Sequence, residues 1–188
     1  MTTTGLFNIA NDHTINRTIR RRKNYFGRRD KIPAGKTFIN VEIIDGDVYR
    51  KTLCKDLGFS MEDRMENIRR LGQAAFSFKD QADIIVIAAI NPFENIRNEL
   101  KEKYGAKTVW IKCNIPVLIE RDTKGLYKRA MLHDDHPDKI FNLTGVNDTY
   151  EIPAEPDLII DTSSETAAHS VQKFHEFLLF SRRTKNSH

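Results

Sequence analysis

The sequence predicts an α/β domain on a mainly parallel sheet, and three observations carry that prediction. Residues 84–90, IIVIAAI, form an unbroken apolar run of strand length, and such continuity implies burial on both faces. Runs of strand type alternate with stretches of helical periodicity, as right-handed crossovers require. Polar clusters follow the strands, at the carboxyl ends where open α/β sheets gather ligands.

Each element has its own signal. Residues 38–44 are rich in β-branched and aromatic side chains, and the turn formers Asp45, Gly46 and Asp47 end them. Ser60 with Asp63 three positions on reads as a helix-starting cap. Met61, Met65, Ile68, Leu71 and Ala75 then recur at helical spacing, for a helix of about 20 residues. After the apolar strand, Asn91 and Pro92 read as cap and first residue of another helix, closed by Gly105. Residues 108–113 make a third strand, residues 115–131 a helix broken near Gly125, and residues 158–161 a fourth strand. Residues 165–180 close the chain as a helix with Val171, Phe174 and Leu178 on its apolar stripe.

Composition bounds the function. The 188 residues amount to one domain, and 39% hydrophobic with 30% charged residues is the profile of a chain that buries a core. No apolar run approaches the roughly 18 to 20 residues that span a bilayer, and residues 1–11 lack the pattern of a secretory signal, so the cytoplasm is the expected location. Cys54 and Cys113 have neither CxxC nor Cys/His metal spacing, and His133 and His136 among Asp134, Asp135 and Asp138 read as a solvated loop. Thirty Lys and Arg against 26 Asp and Glu give a net charge of +4. The excess sits in front: Arg17, Arg20, Arg21, Arg22, Lys23, Arg28, Arg29 and Lys31 are opposed by Asp30 alone. Residues 1–35 are therefore expected to be a basic arm and residues 36–188 the folded domain. Such an arm attracts nucleic-acid phosphates, and Tyr25 and Phe26 could stack on bases. The small net charge, with no nucleic-acid module following, favours a solvated arm or a dimer contact.

Four stretches carry the chemistry: DGDVYRKTLCKDLGFSMEDRMENIRR at 45–70, INPF at 90–93, RDTKGLYKRA at 121–130 and NLTGVNDTYEIP at 142–153. In this order and near this spacing they resemble the adenylylsulfate kinases, P-loop-type enzymes that phosphorylate the 3′-hydroxyl of adenosine 5′-phosphosulfate (APS) with ATP. The resemblance covers residues 38–161. It implies a three-layer parallel sheet of the P-loop nucleoside-triphosphate hydrolase/kinase type, ATP with Mg²⁺, and a homodimer.

The resemblance assigns residues. Asp47 is the base, and APS meets Asp47, Arg50, Phe59, Arg64, Asn67, Ile90, Asn91, Lys124, Leu143 and Thr144. Residue chemistry fits these parts. A carboxylate at a strand end can take a hydroxyl proton as the oxygen attacks phosphorus, in a transfer that otherwise needs positioning and charge neutralisation. Asp45 could hold magnesium through water. Arg64 and Asn67, three apart, share a helix face, so a guanidinium can grip phosphate or sulfate oxygens beside an amide. Phe59 can stack on adenine. On the resemblance, Lys124 meets APS from a mobile lid, a segment that Gly125 would let bend. Taken singly, an Asp-Gly-Asp shapes turns and arginines at helical spacing form solvated faces. The chain departs from the family with Leu143 in place of Phe, Asn91 in place of Ser and Val48 in place of Asn.

The larger departure is upstream. The family holds ATP with G-x-x-x-x-G-K-[ST] after the first strand, and this sequence has no such loop. Gly35, Lys36 and Thr37 lack the earlier glycine and precede a strand. On the resemblance, the first strand and the P-loop helix are missing near residues 27–34, which would leave two rows of backbone hydrogen bonds unmade inside the sheet. An arm that rearranges, a partner chain or an incomplete reading frame would each account for the gap. Loss of ATP binding would leave a noncatalytic APS- or nucleotide-binding module as the alternative to a kinase.

Overall fold

Six strands form one sheet in the computed structural model, which describes residues 5–11, 30–34, 37–122 and 124–185. They are β1 (Gly5–Asn11), β2 (Asp30–Ala34), β3 (Thr37–Asp45), β4 (Ile84–Ala89), β5 (Lys107–Lys112) and β6 (Leu158–Asp161), in the order β2-β3-β4-β1-β5-β6. All neighbours pair in parallel except β2, which runs antiparallel to β3 at the edge.

Helices cover both faces, as the fully buried β4 requires. α1 (Gly46–Tyr49), α2 (Met61–Phe76), α3 (Glu94–Tyr104), α4 (Ile115–Glu120), α5 (Leu126–Ala130) and α6 (Ala167–Lys185) follow in chain order. Leu6, Ile44, Ile85 and Ile87 meet Ile68, Leu71 and Ala75 of α2 and Ile96 and Leu100 of α3 on one face. Phe7, Val41, Ile84, Val86, Val109, Ile111 and Ile160 meet Leu178 of α6 on the other, with Phe174 and Phe177 packed alongside. Alternation within IIVIAA thus feeds two cores, giving three layers. A satellite cluster of Leu118, Tyr127, Ala130 and Leu143 ties α4, α5 and the following loop together.

Local chemistry sets the element ends. Ser60 Oγ accepts the Asp63 N–H at 3.1 Å and starts α2, as its sequence predicts. Gly105, at φ 63°, ends α3 in the left-handed conformation that glycine adopts without strain. Asn91 and Pro92 do not cap that helix: it begins at Glu94 with Phe93 in the cap position, and Asn91 is fully buried. The expected turn at 45–47 is a short helix, α1, whose cap is Asp45 Oδ1 accepting from Asp47 N–H at 3.0 Å and Val48 N–H at 3.4 Å.

The front of the chain differs most from expectation. The sheet has no missing first strand, because Gly5–Asn11 lies at its centre, pairing Leu6 with Ile85 of β4 and Ile9 with Val109 of β5. Asp30–Ala34 adds the antiparallel edge. Two stretches of the segment expected to be an arm therefore belong to the sheet. Neither is apolar enough in sequence to be picked out, and only pairing with β3, β4 and β5 makes them strands. Arg17, Arg20, Arg21, Arg22, Lys23, Tyr25, Phe26, Arg28 and Arg29, with Gly35 and Lys36, lie outside the described residues.

Two measurements check this architecture. Removing residues 1–11 would strip backbone partners from β4 and β5, so the shortened chain should lose cooperative urea unfolding; a retained cooperative transition would contradict a central β1. Gly46→Ala would place a Cβ 2.8 Å from Ala89 Cβ and 3.3 Å from Ala89 Cα, at packed backbone. Such overpacking should lower unfolding free energy by about 1–3 kcal/mol, read from the shift in urea midpoint.

Candidate functional site

Parallel strands bring the ends of β3, β4 and β5 to one edge, and the predicted residues collect there. α1 continues directly from β3 and presents Asp47 at the surface, while Asp45, 9% exposed, caps it. Arg50 follows and donates through Nη1 to the carbonyls of Gly58 at 2.8 Å and Leu57 at 3.3 Å. These bonds hold the segment that carries Phe59. Phe59 is 57% exposed, so its side chain is accessible to a ligand. The guanidinium carbons of Arg50 and Arg64 stand 4.8 and 5.5 Å from its centroid.

Arg64, on the first turn of α2, is the centre of the cluster. Its Nε donates to Phe59 O at 3.0 Å, and its Nη1 to Thr144 Oγ1 at 3.0 Å. Its Nη2 donates to Asn142 O at 3.1 Å and to Asp148 Oδ2 at 2.6 Å. Four of the five guanidinium N–H groups are thus spent on protein. The expected grip on an anion through Arg64 therefore rests on one remaining Nη1 hydrogen. Burial, and then the Arg64 charge beside it, push the Arg50 pKa below its usual value. Two crowded, part-desolvated cations are an arrangement that an anion relieves.

Other predicted residues are placed differently. Asn67, one turn after Arg64 on the same helix, is buried and its Oδ1 has no hydrogen-bond partner among the described residues. Asn91 is 0% exposed, and neither atom of its amide finds a partner there. Buried unpaired amides in a native chain call for an explanation, and a polar ligand is one. Ile90 and Thr144 line a cavity of about 470 Å³ with Trp110, Lys112, Cys113 and Tyr150. Lys124 is exposed on the turn before Gly125, whose φ of 66° opens α5. Leu143 is 3% exposed and packs against Leu118, Tyr127 and Ala130, so its side chain anchors the loop.

Sequence reasoning missed the residues that fasten the 142–151 loop. Asn147 Oδ1 accepts the Leu143 N–H at 2.9 Å and its amide donates to Ile140 O, tying the loop toward α5. Asp148 ties it to α2 through Arg64. Arg97 of α3, 2% exposed, donates to Asn91 O at 2.7 Å and Glu151 O at 2.8 Å, and pairs with Glu94 at 2.6 Å. Asn147 and Asp148 lie within the last quoted motif and Arg97 outside all four, and Arg97 and Asp148 meet partners 54 and 84 positions away. Arg69 and Arg70 serve structure: Arg69 pairs with Glu99 of α3, and Arg70 with Asp56 and Glu66.

The fit to magnesium is partial. One oxygen of Asp45 is committed to capping α1, and the described residues hold no group of three or more His, Cys, Asp or Glu that could hold a metal ion. A divalent cation here would depend on phosphate oxygens and water with at most a carboxylate or two, as Mg²⁺ commonly does. Between Gly5 and Gly27 the sequence has no glycine, so no glycine-rich loop follows β1.

Known proteins resemble this chain in sequence and in fold. The family model described as adenylylsulphate kinase matches residues 33–161. A probable bifunctional SAT/APS kinase 2 of Sorangium cellulosum is 43% identical over 136 residues, which are 72% of this chain and 22% of that protein. An adenylyl-sulfate kinase of Bacillus pumilus is 40% identical over 141 residues, 73% of this chain and 69% of that one. An APS kinase of Mycobacterium tuberculosis, solved with AMPPNP and APS, superposes with a TM-score of 0.70 at 24% identity, covering 93% and 98% of the two chains. A gluconokinase of Sinorhizobium meliloti 1021 shares the fold at a TM-score of 0.61 and 14% identity, covering 99% and 98%. With the family match extending over the strand ends that carry the site, on a three-layer P-loop-kinase fold, the chain belongs to the adenylylsulphate kinase family.

Proposed function

We propose that this chain binds APS at the cluster of Asp47, Arg50, Phe59, Arg64, Asn67, Asn91 and Thr144 and transfers the γ-phosphoryl group of ATP to its 3′-hydroxyl. The observation that carries the proposal is the pairing of two crowded guanidinium groups with an exposed aromatic ring, beside buried amides in search of partners. A sulfated adenine nucleotide supplies what such a site needs, a flat base to stack and anionic oxygens to accept donors. The Sorangium relative is named as bifunctional and is matched over only 22% of its length, so its second activity is not extended to this chain.

In the proposed step the 3′-oxygen of APS forms a bond to the γ-phosphorus as the bond to the β,γ-bridging oxygen breaks. ADP leaves, 3′-phosphoadenosine 5′-phosphosulfate forms, and Asp47 takes the hydroxyl proton. Asp47 suits this part because α1 holds it at the mouth of the site, with its own N–H fixed to Asp45. Arg50 sets the Phe59 segment by its bonds to Leu57 O and Gly58 O. Lys124 would reach the nucleotide from the turn ahead of α5. Magnesium would supply charge neutralisation on the ATP phosphates.

A second reading has its own support. The sequence lacks a Walker loop, which favours a module that keeps APS and has lost ATP.

One set of assays separates the two. Calorimetry with APS should give saturable binding to the full chain, and Mg-ATP with APS should yield 3′-phosphoadenosine 5′-phosphosulfate. Asp47→Asn should keep APS affinity and lower turnover about 10²- to 10⁴-fold, the usual contribution of a general base. Binding without product supports the module; absence of APS binding by folded protein removes both readings. Arg50→Ala should weaken APS at least about tenfold, roughly the effect of one charge-assisted hydrogen bond, with little change in unfolding midpoint.

A further inference from the structure

We infer that Asp148 is a positioning residue that sets the Arg64 guanidinium and, through it, the Thr144 loop for APS. The inference rests on the APS-binding reading. Asp148 is itself held on both sides. Its Oδ1 accepts the Thr149 N–H at 2.8 Å, its Oδ2 meets Arg64 Nη2 at 2.6 Å, and its carbonyl accepts the Gly145 N–H at 2.8 Å. Thr144 and Asp148 bridge across the turn, and Gly145 supplies the φ of 83° that the turn needs. The carboxylate therefore arrives at Arg64 in one orientation, fixed by its own backbone.

That orientation decides how Arg64 faces the site. With Nε on Phe59 O and both Nη2 hydrogens on Asn142 and Asp148, the guanidinium plane is pinned at three corners. Nη1, bonded to Thr144 Oγ1, keeps its second hydrogen for a ligand. Arg64 is 8% exposed and shares the Phe59 ring with Arg50, and its charge adds to burial in holding the Arg50 pKa below its usual value. Asp148 supplies the negative charge that lets a buried arginine remain there without an anion. An amide in its place cannot accept from both Thr149 N–H and Arg64 in the same way, since one of its two ends is a donor.

The test uses the full chain and three variants: Asp148→Asn, Arg64→Ala and the double variant. Asp148→Asn should weaken APS binding about 10- to 100-fold by calorimetry, while in the Arg64→Ala background it should change affinity less than about twofold, because it acts through that residue. Equal losses in both backgrounds, or tighter binding by Asp148→Asn, would overturn the inference. Tighter binding would make the carboxylate a competitor of the ligand. Hydrogen exchange without APS provides an arm that does not need the ligand: Asp148→Asn should speed exchange at amides 142–150 and leave β4 protected. Unchanged exchange at 142–150 would also overturn the inference, and loss of protection in β4 would make Asp148 a determinant of folding instead. If the unmodified chain fails to bind APS, the APS reading fails, and the inference about its ligand with it, whatever the exchange shows about the loop.

Discussion

The candidate site depends on Arg64. Its guanidinium joins a helix on one face of the sheet to a loop 80 residues further along the chain, through Thr144, and to Asn142 and Asp148 beside it. That fork gives the Phe59 segment and the Thr144 loop a common reference, since Nε bonds Phe59 O and Nη1 bonds Thr144 Oγ1. A buried arginine paired with a carboxylate contributes little net stability compared with an apolar replacement, but removing one partner leaves an uncompensated charge that costs about 3–5 kcal/mol. Such a pair therefore fixes geometry more than it adds stability.

Arg97 does for the other end of the loop what Arg64 does for its start. Its nitrogens hold the carbonyls of Asn91 and Glu151, and the Glu151 backbone N–H returns to Pro92 O at 2.8 Å. The end of β4 and the loop are thereby moored to one side chain of α3. The polar network also explains why Asn91, despite its cap-like position, starts no helix. Its backbone is already engaged by Arg97, and its amide is enclosed where β4 ends.

Much of the fold was legible because its signals are local. Residues 84–89 are apolar without interruption, Ser60 caps α2, Gly105 closes α3, and Ile68, Leu71 and Ala75 recur at helical spacing; each reports on neighbours in sequence. Gly5–Asn11 carries no such signal. Asn8 and Asn11 dilute its apolar pattern, and its state is set by two parallel neighbours that complete its backbone hydrogen bonds. The same reasoning separates the motif residues. Asp47, Arg50, Phe59 and Arg64 could be named from short motifs, whereas Asp148 and Arg97 acquire a part only when their distant partners arrive.

The sequence by itself determined the alternation of strands and helices, the two-sided burial of β4, the family motifs and the absence of a glycine-rich phosphate loop, because all of these reside in residue identity and short-range spacing. Tertiary structure alone decided that residues 5–11 complete the centre of the sheet, that Leu143 anchors a loop, and that Arg64 spends four of its five donors on protein. Hydrogen-bond partners and burial are properties of groups brought together across long stretches of chain, and local spacing does not encode which of several available polar groups will meet.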